Sequence, residues 1–319
     1  MTFAISSICP QLGEKARLFY WKDKCVANRL NASQKCRVPD LSGEHIQAHV
    51  TAALAEDIGE GDATTNALVD AQRRCQGHIV AREPLTFCGR DLIETVFQRL
   101  DAEAVITHLH SDGDEVPAGA TLTTLDASAR ALLTGERTAL NYSQRLSGVA
   151  TQAARYVAAV KGSGVLLLDT RKTTPGWRDL EKYAVQCGGA RNHRHGLDDM
   201  VMIKDNHLAA LEGNNRISSA IERCRDAHPD LKIEVEADTP IQARQAAESG
   251  ADIILLDNMT LDEIRESVAL IDGRSQIEAS GGVTLDTIRD IAQTGVHYIS
   301  VGALTHSATS VDIALDFSL

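Results

Sequence analysis

Basic residues are in the minority in this 319-residue chain, where 32 Lys+Arg face 44 Asp+Glu for a formal charge of −12. A nucleic-acid partner needs a cationic surface to displace counterions from phosphate, so this balance excludes nucleic acid and makes any anion site local. The seven cysteines (Cys9, Cys25, Cys36, Cys75, Cys88, Cys187, Cys224) are odd in number and show no CxxC or other paired spacing. That argues against a zinc site or a disulfide framework and for a reducing, cytoplasmic compartment. No apolar run approaches the ~18 residues of a membrane span, and the first residues lack the apolar core of a signal peptide, so no membrane partner is expected.

Residues 1–39 carry Lys15, Arg17, Lys22, Lys24, Arg29, Lys35 and Arg37 against Glu14 and Asp23, without a clean period. Residues 1–40 are expected to form a poorly ordered extension, with a transit peptide as the rival reading. The remaining length suits two domains. After Ser42, a candidate N-cap, Ile46, Val50, Ala53 and Leu54 recur at helical spacing, and Gly59-Glu60-Gly61-Asp62 ends the pattern. Strands are predicted at 76–82, 104–109 and 121–125, with a helix at 90–100, giving an α+β domain over 41–148. A helical pattern follows from Ala129 to Lys161, with a break expected near Gly148.

Beyond Gly164 strands and helices alternate. Strand candidates are Val165–Asp169, Met200–Lys204, Lys232–Ala237, Ile253–Asp257, Gln276–Ser280 and Tyr298–Gly302, and the last four start about 22 residues apart, the spacing of parallel β/α units. Thr239-Pro240 starts one helix that Gly250 stops, and Thr284 starts another that ends near Gly295. Six units fall two short of a closed eightfold barrel. The expected fold is therefore α/β, an incomplete six-stranded parallel β/α barrel over 149–303 behind the N-terminal domain, with 304–319 as a helical tail placed against that domain.

Active sites of such barrels lie at the C-terminal strand ends, and here those ends carry Arg171 and Lys172, Lys204, Glu236, Asp257, Ser280 and Gly302. In the third strand Lys232, Glu234 and Glu236 share the face opposite Ile233 and Val235. A Lys232–Glu234 ion pair low in the barrel is expected, with Glu236 level with Asp257 on the next strand. Two carboxylates so placed can hold Mg²⁺ or accept ribose hydroxyls. Ser280-Gly281-Gly282 and Val301-Gly302-Ala303 offer backbone N–H groups to a phosphate. His193, next to Arg194, follows the Gly188-Gly189 break and falls in a loop beside the strand ends, whereas His108-x-His110 lacks a third ligand and reads as strand histidines.

Taken together, Glu136-Arg137-Thr-Ala-Leu-Asn, Leu168-Asp-Thr-Arg-Lys-Thr-Thr-Pro-Gly, Lys182-Tyr-Ala-Val, Gly188-Gly-Ala-Arg-Asn-His-Arg, Ile203-Lys-Asp-Asn-His, Glu234-Val-Glu, Leu256-Asp-Asn-Met and Glu278-Ala-Ser-Gly-Gly-Val resemble the quinolinate phosphoribosyltransferases. The likeness covers about residues 44–319. It implies phosphoribosyl transfer from phosphoribosyl pyrophosphate to quinolinate, loss of pyrophosphate and CO₂, Mg²⁺ as cofactor, and a homodimer with shared active sites. It further implies that Arg171, His193, Arg194 and Lys204 hold the quinolinate carboxylates, with Arg137 arriving from the partner subunit. By the same likeness Lys172 faces pyrophosphate, Glu236 and Asp257 serve ribose and metal, and Ser280, Gly281 and Gly302 bind the 5′-phosphate. Arg191 departs from the pattern, which has a small residue there, and adds charge near the pocket. The rival readings are a phosphoribosyltransferase acting on nicotinate, a Schiff-base aldolase using Lys204, and a non-catalytic sugar-phosphate-binding barrel.

Overall fold

In a computed structural model of the protein, which describes residues 41–318, Ser42 caps the first helix by accepting the His45 N–H at 3.3 Å. The expectation for residues 1–40 lies outside the described residues. The chain runs through α1 (Gly43–Ile58), α2 (Ala63–Leu68), β1 (Arg74–Ala81), β2 (Leu85–Thr86), α3 (Arg90–Leu100), β3 (Val105–His108), β4 (Glu115–Val116), β5 (Thr121–Ser128) and α4 (Ala129–Ala159). It continues through β6 (Leu166–Leu168), α5 (Arg178–Cys187), β7 (Val201–Ile203), α6 (Asp205–Ala209), α7 (Arg216–Ala227), β8 (Ile233–Ala237) and α8 (Pro240–Glu248). The last elements are β9 (Ile253–Asp257), α9 (Leu261–Ile271), β10 (Gln276–Ser280), α10 (Ile288–Ala292), β11 (Tyr298–Ser300), α11 (Ala303–His306) and β12 (Ile313–Ser318).

Residues 162–171 and 191–301 form one compact unit. Its six strands lie in the order β6-β11-β10-β9-β8-β7 and every pairing is parallel, so β6 and β7 are open edges and the barrel is incomplete, as the sequence predicts. Apolar side chains account for the strands: Ile233, Val235, Ile254 and Leu256 are fully buried on one face, leaving Glu234 and Glu236 on the other. The Thr239 side chain caps α8, with Pro240 in its first turn. Thr284 does not open a helix. It exchanges backbone-to-hydroxyl bonds with Thr287 in a turn, and α10 starts only at Ile288.

The second unit contains described residues 41–161, 172–190 and 302–318. Its antiparallel sheet has the order β12-β1-β5-β3. The tail is thus corrected from helix to strand: Ile313–Ser318 pairs with β1 along its length. Its alternation, with Ile313 and Leu315 buried, is the period of a strand. α4 is one 31-residue helix with no break at Gly148. That glycine serves packing instead, because a Cβ there would collide with the Thr309 carbonyl.

Candidate active site

In the first unit the site grows from the end of β6. Buried Asp169 accepts the Asn192 amide at 2.7 Å and the His193 N–H at 2.8 Å, while Arg191 bridges to Leu168. The chain at 191–194 is thereby held beside the strand ends. The backbone of Arg191 thus has a structural task, its N–H donating to the Leu167 carbonyl at 2.9 Å.

Arg171 and Arg194 are both half-buried, and Arg194 donates to the Met200 carbonyl at 3.1 Å. Burial, then the charge of Arg171, lowers the Arg194 pKa. Two like charges gathered in a partly desolvated place suit an anion. Lys204, at the end of β7, forms a close ion pair with Glu236 at the end of β8.

His193 is almost completely buried. Its Nε2 lies 3.2 Å from Glu234 and 3.4 Å from Glu278, carboxylates that are themselves sealed from solvent. The expected Lys232–Glu234 pair is not formed, because Lys232 turns to Asp252 at 3.2 Å and Glu234 points into the barrel toward His193. Burial disfavours charge on the ring, yet Glu234 and Glu278 outweigh it and raise the His193 pKa to about 10. Burial, then the charge of Glu278, raises Glu234. In the neutral ring the Arg194 N–H donates to His193 Nδ1 at 2.7 Å and the ring proton sits on Nε2, between the carboxylates; protonating the ring gives up that bond.

Strand register corrects one further expectation. Glu236 is level with Leu255, and Asp257 stands one same-face step beyond it, level with Ser280. Asp257 Oδ2 accepts the Asn258 amide at 2.7 Å. Gly281 has φ +90°, and a Cβ on it would collide with Asn258, so this glycine lets the loops after β9 and β10 meet. Glu236 and Asp257 supply the hard oxygen donors that suit Mg²⁺, which takes one or two protein carboxylates beside substrate phosphates.

In the second unit Lys172 and Gly302 are brought together. A Cβ on Gly302 would come within 3.0 Å of the Lys172 side chain and of the His306 ring. Thr305 Oγ1 donates to the Lys172 carbonyl at 2.8 Å. The loop after Lys172 is tied down by buried Glu181, which accepts from the Thr174 N–H at 3.0 Å and from Arg145 at 2.7 Å. Arg137 is exposed on α4. Sequence reasoning missed Asp169, Glu181, Glu278 and His306 as positioning or neighbouring groups. Asp169 and Glu278 do lie inside the quoted motifs, and that was their one available signal.

The chain matches the family described as quinolinate phosphoribosyl transferase, by its N-terminal domain over residues 62–147 and its C-terminal domain over residues 149–316. It is 41% identical to the nicotinate-nucleotide pyrophosphorylase (carboxylating) of Mycobacterium leprae, over 83% of this chain and 94% of that one. With the chloroplastic enzyme of that name from Arabidopsis thaliana it shares 38% identity, over 85% of this chain and 82% of that one. The nicotinate-nucleotide pyrophosphorylase structure from Francisella tularensis superposes with a TM-score of 0.83 at 36% identity, covering 90% of this chain and 100% of that one.

Proposed function

The chain belongs to the quinolinate phosphoribosyltransferase family and makes nicotinate mononucleotide, pyrophosphate and CO₂ from quinolinate and phosphoribosyl pyrophosphate; from that premise we propose how its residues divide the work. Arg171, Arg194 and Lys204 hold the two quinolinate carboxylates, with Arg137 of a second copy completing the set in a homodimer. The observation that carries this reading is the half-buried Arg194 with the charge of Arg171 close enough to act on it, a juxtaposition that a bound dianion relieves. His193 belongs to the same set and stiffens it, its imidazole held by Glu234 and Glu278.

As pyrophosphate leaves, positive charge grows on the ribose, where Glu236 and Asp257 stabilise it. Glu236 and Asp257 would also hold Mg²⁺, which would supply Lewis-acid stabilisation of charge on the departing oxygens. Lys172 faces the pyrophosphate, and Ser280, Gly281 and Gly302 receive the 5′-phosphate through backbone N–H groups. The quinolinate nitrogen bonds to the anomeric carbon and the ring becomes a pyridinium. The bond from C2 to its carboxylate then breaks, its electron pair stays on C2 beside the cationic nitrogen, and a proton replaces CO₂. We place the protein in the cytoplasm, a reading supported by its unpaired cysteine spacing; no helix of the described residues is long and apolar enough to cross a membrane.

A Schiff-base aldolase is disfavoured because Lys204 is engaged in the ion pair with Glu236. The nicotinate reading is tested by calorimetry with both acids. Quinolinate should bind much more tightly than nicotinate, and equal affinities would overturn the dicarboxylate assignment.

A further inference from the structure

Two cysteines that lie 99 residues apart meet in the second unit, with Cys88 Sγ 3.8 Å from Cys187 Sγ. Asp112 joins them, and one donor atom from each of the three lies within 4.8 Å of the others. Tyr183 donates its hydroxyl to Asp112 Oδ2 at 2.8 Å, and the Gly89 and Arg90 N–H groups bond Oδ1 at 3.0 and 3.1 Å. Sequence spacing could not reveal this cluster.

Its geometry is fixed from several sides. The Cys88 N–H donates to Ser147 Oγ at 2.9 Å, and the Ser147 hydroxyl donates back to the Cys88 carbonyl at 3.1 Å. On the other side, a Cβ on Gly113 would come to 3.2 Å from the Cys187 carbonyl, so the loop carrying Asp112 packs closely on the end of α5. A tetrahedron with Zn–S bonds of about 2.3 Å has an edge of about 3.8 Å, the separation found here. Two thiols in simple contact would stand equally far apart, so the carboxylate decides between the readings. Apolar packing of two thiols does not call for a partly buried carboxylate beside them, whereas a thiophilic cation does.

We propose that Cys88, Cys187 and Asp112 form a binding site for a thiophilic divalent cation of the Zn²⁺ class, with water or the Tyr183 hydroxyl in the fourth position. Binding replaces two thiol protons by the ion and releases both. The two thiols and the carboxylate stand close enough together for one cation to meet all three. Arg90, half-buried and electrostatically coupled to Asp112, offsets the surplus negative charge of the loaded site. Cys187 is partly exposed and gives the ion its way in. Loaded, the site staples the 87–90 and 111–114 segments to the end of α5. Hard Mg²⁺ does not compete for thiolates, so this site is independent of Glu236 and Asp257.

The test uses the full reduced chain in excess Mg²⁺, titrated with Co²⁺ as a spectroscopic probe and back-titrated with Zn²⁺. One Co²⁺ per chain should bind with a thiolate-to-metal charge-transfer band, release of two protons, protection of both thiols from alkylation and a rise in Tm; Zn²⁺ should abolish the band. Cys187→Ser should weaken binding by about tenfold or more and remove protection of Cys88, with Asp112→Asn acting in the same direction. Cys224→Ser, at a partly exposed thiol elsewhere, should leave the titration unchanged. Absence of the band, or its survival in Cys187→Ser, overturns the proposal. So does a reduced protein that takes up no Co²⁺ while its two thiols form a disulfide on mild oxidation. If Asp112→Asn fails to fold, proton release and thiol protection in the unaltered chain decide.

Discussion

Lys204, proposed to meet the incoming quinolinate, is paired with the Glu236 carboxylate, and its side chain is 40% exposed while that of Glu236 is 11% exposed. Deleting one member of a fully buried pair costs about 3–5 kcal/mol, and an exposed pair contributes about 0.2–1 kcal/mol. Lys204→Ala should therefore weaken quinolinate binding by an intermediate ~1–3 kcal/mol in calorimetry; unchanged affinity would place Lys204 outside the carboxylate site. The Glu236→Ala, Asp257→Ala double variant should lose turnover while still binding quinolinate, and turnover in the unaltered protein should cease in chelator. Full activity in either case would remove these carboxylates from ribose and metal.

Charges of fixed sign at strand ends, such as Arg171, Lys172, Lys204 and Asp257, were legible because strand position follows from local pattern. The partners of Glu234 and Glu278 were not, since they come from tertiary pairing across the barrel. That pairing predicts a pH response. The folded His193 pKa of about 10 lies above its ordinary 6.5, so the stability it contributes is fully present below pH 6.5 and is lost as pH rises through about 10. Denaturation midpoints measured from neutral pH to about 10 should fall, and in Glu278→Gln the fall should be smaller and level off at lower pH. Parallel curves for the two proteins would show that Glu278 does not hold the His193 proton.

Among the elements, β9 and β10 form over the predicted residues because apolar runs bounded by turn residues mark a buried parallel strand. β12 was misread because a short terminal segment of alternating residues acquires its identity only by pairing with β1. Gly148 was misread for a related reason: helix propensity counts the cost of glycine but not the neighbour it admits. Replacing it with Ala gains up to about 1 kcal/mol in propensity and meets overpacking of about 1–3 kcal/mol against the Thr309 carbonyl. The balance predicts net destabilisation of Gly148→Ala in urea denaturation. A stabilised variant would mean that the 309 segment yields easily.

For the whole molecule, the two-domain order and the open barrel followed from strand count and spacing, whereas subunit sharing is a property no single chain displays. If Arg137 completes the partner's site, Arg137→Ala and Lys204→Ala homodimers should each be nearly inactive, and co-refolded mixtures should regain activity through heterodimers with one intact site. Mixed subunits that assemble and stay inactive would return Arg137 to the surface of its own subunit. The chemistry itself is tested most directly by supplying quinolinate labelled in its 2-carboxylate with phosphoribosyl pyrophosphate and Mg²⁺. One labelled CO₂ should leave per pyrophosphate and per unlabelled nicotinate mononucleotide formed; pyrophosphate release without labelled CO₂, or a product that keeps the label, would contradict the account.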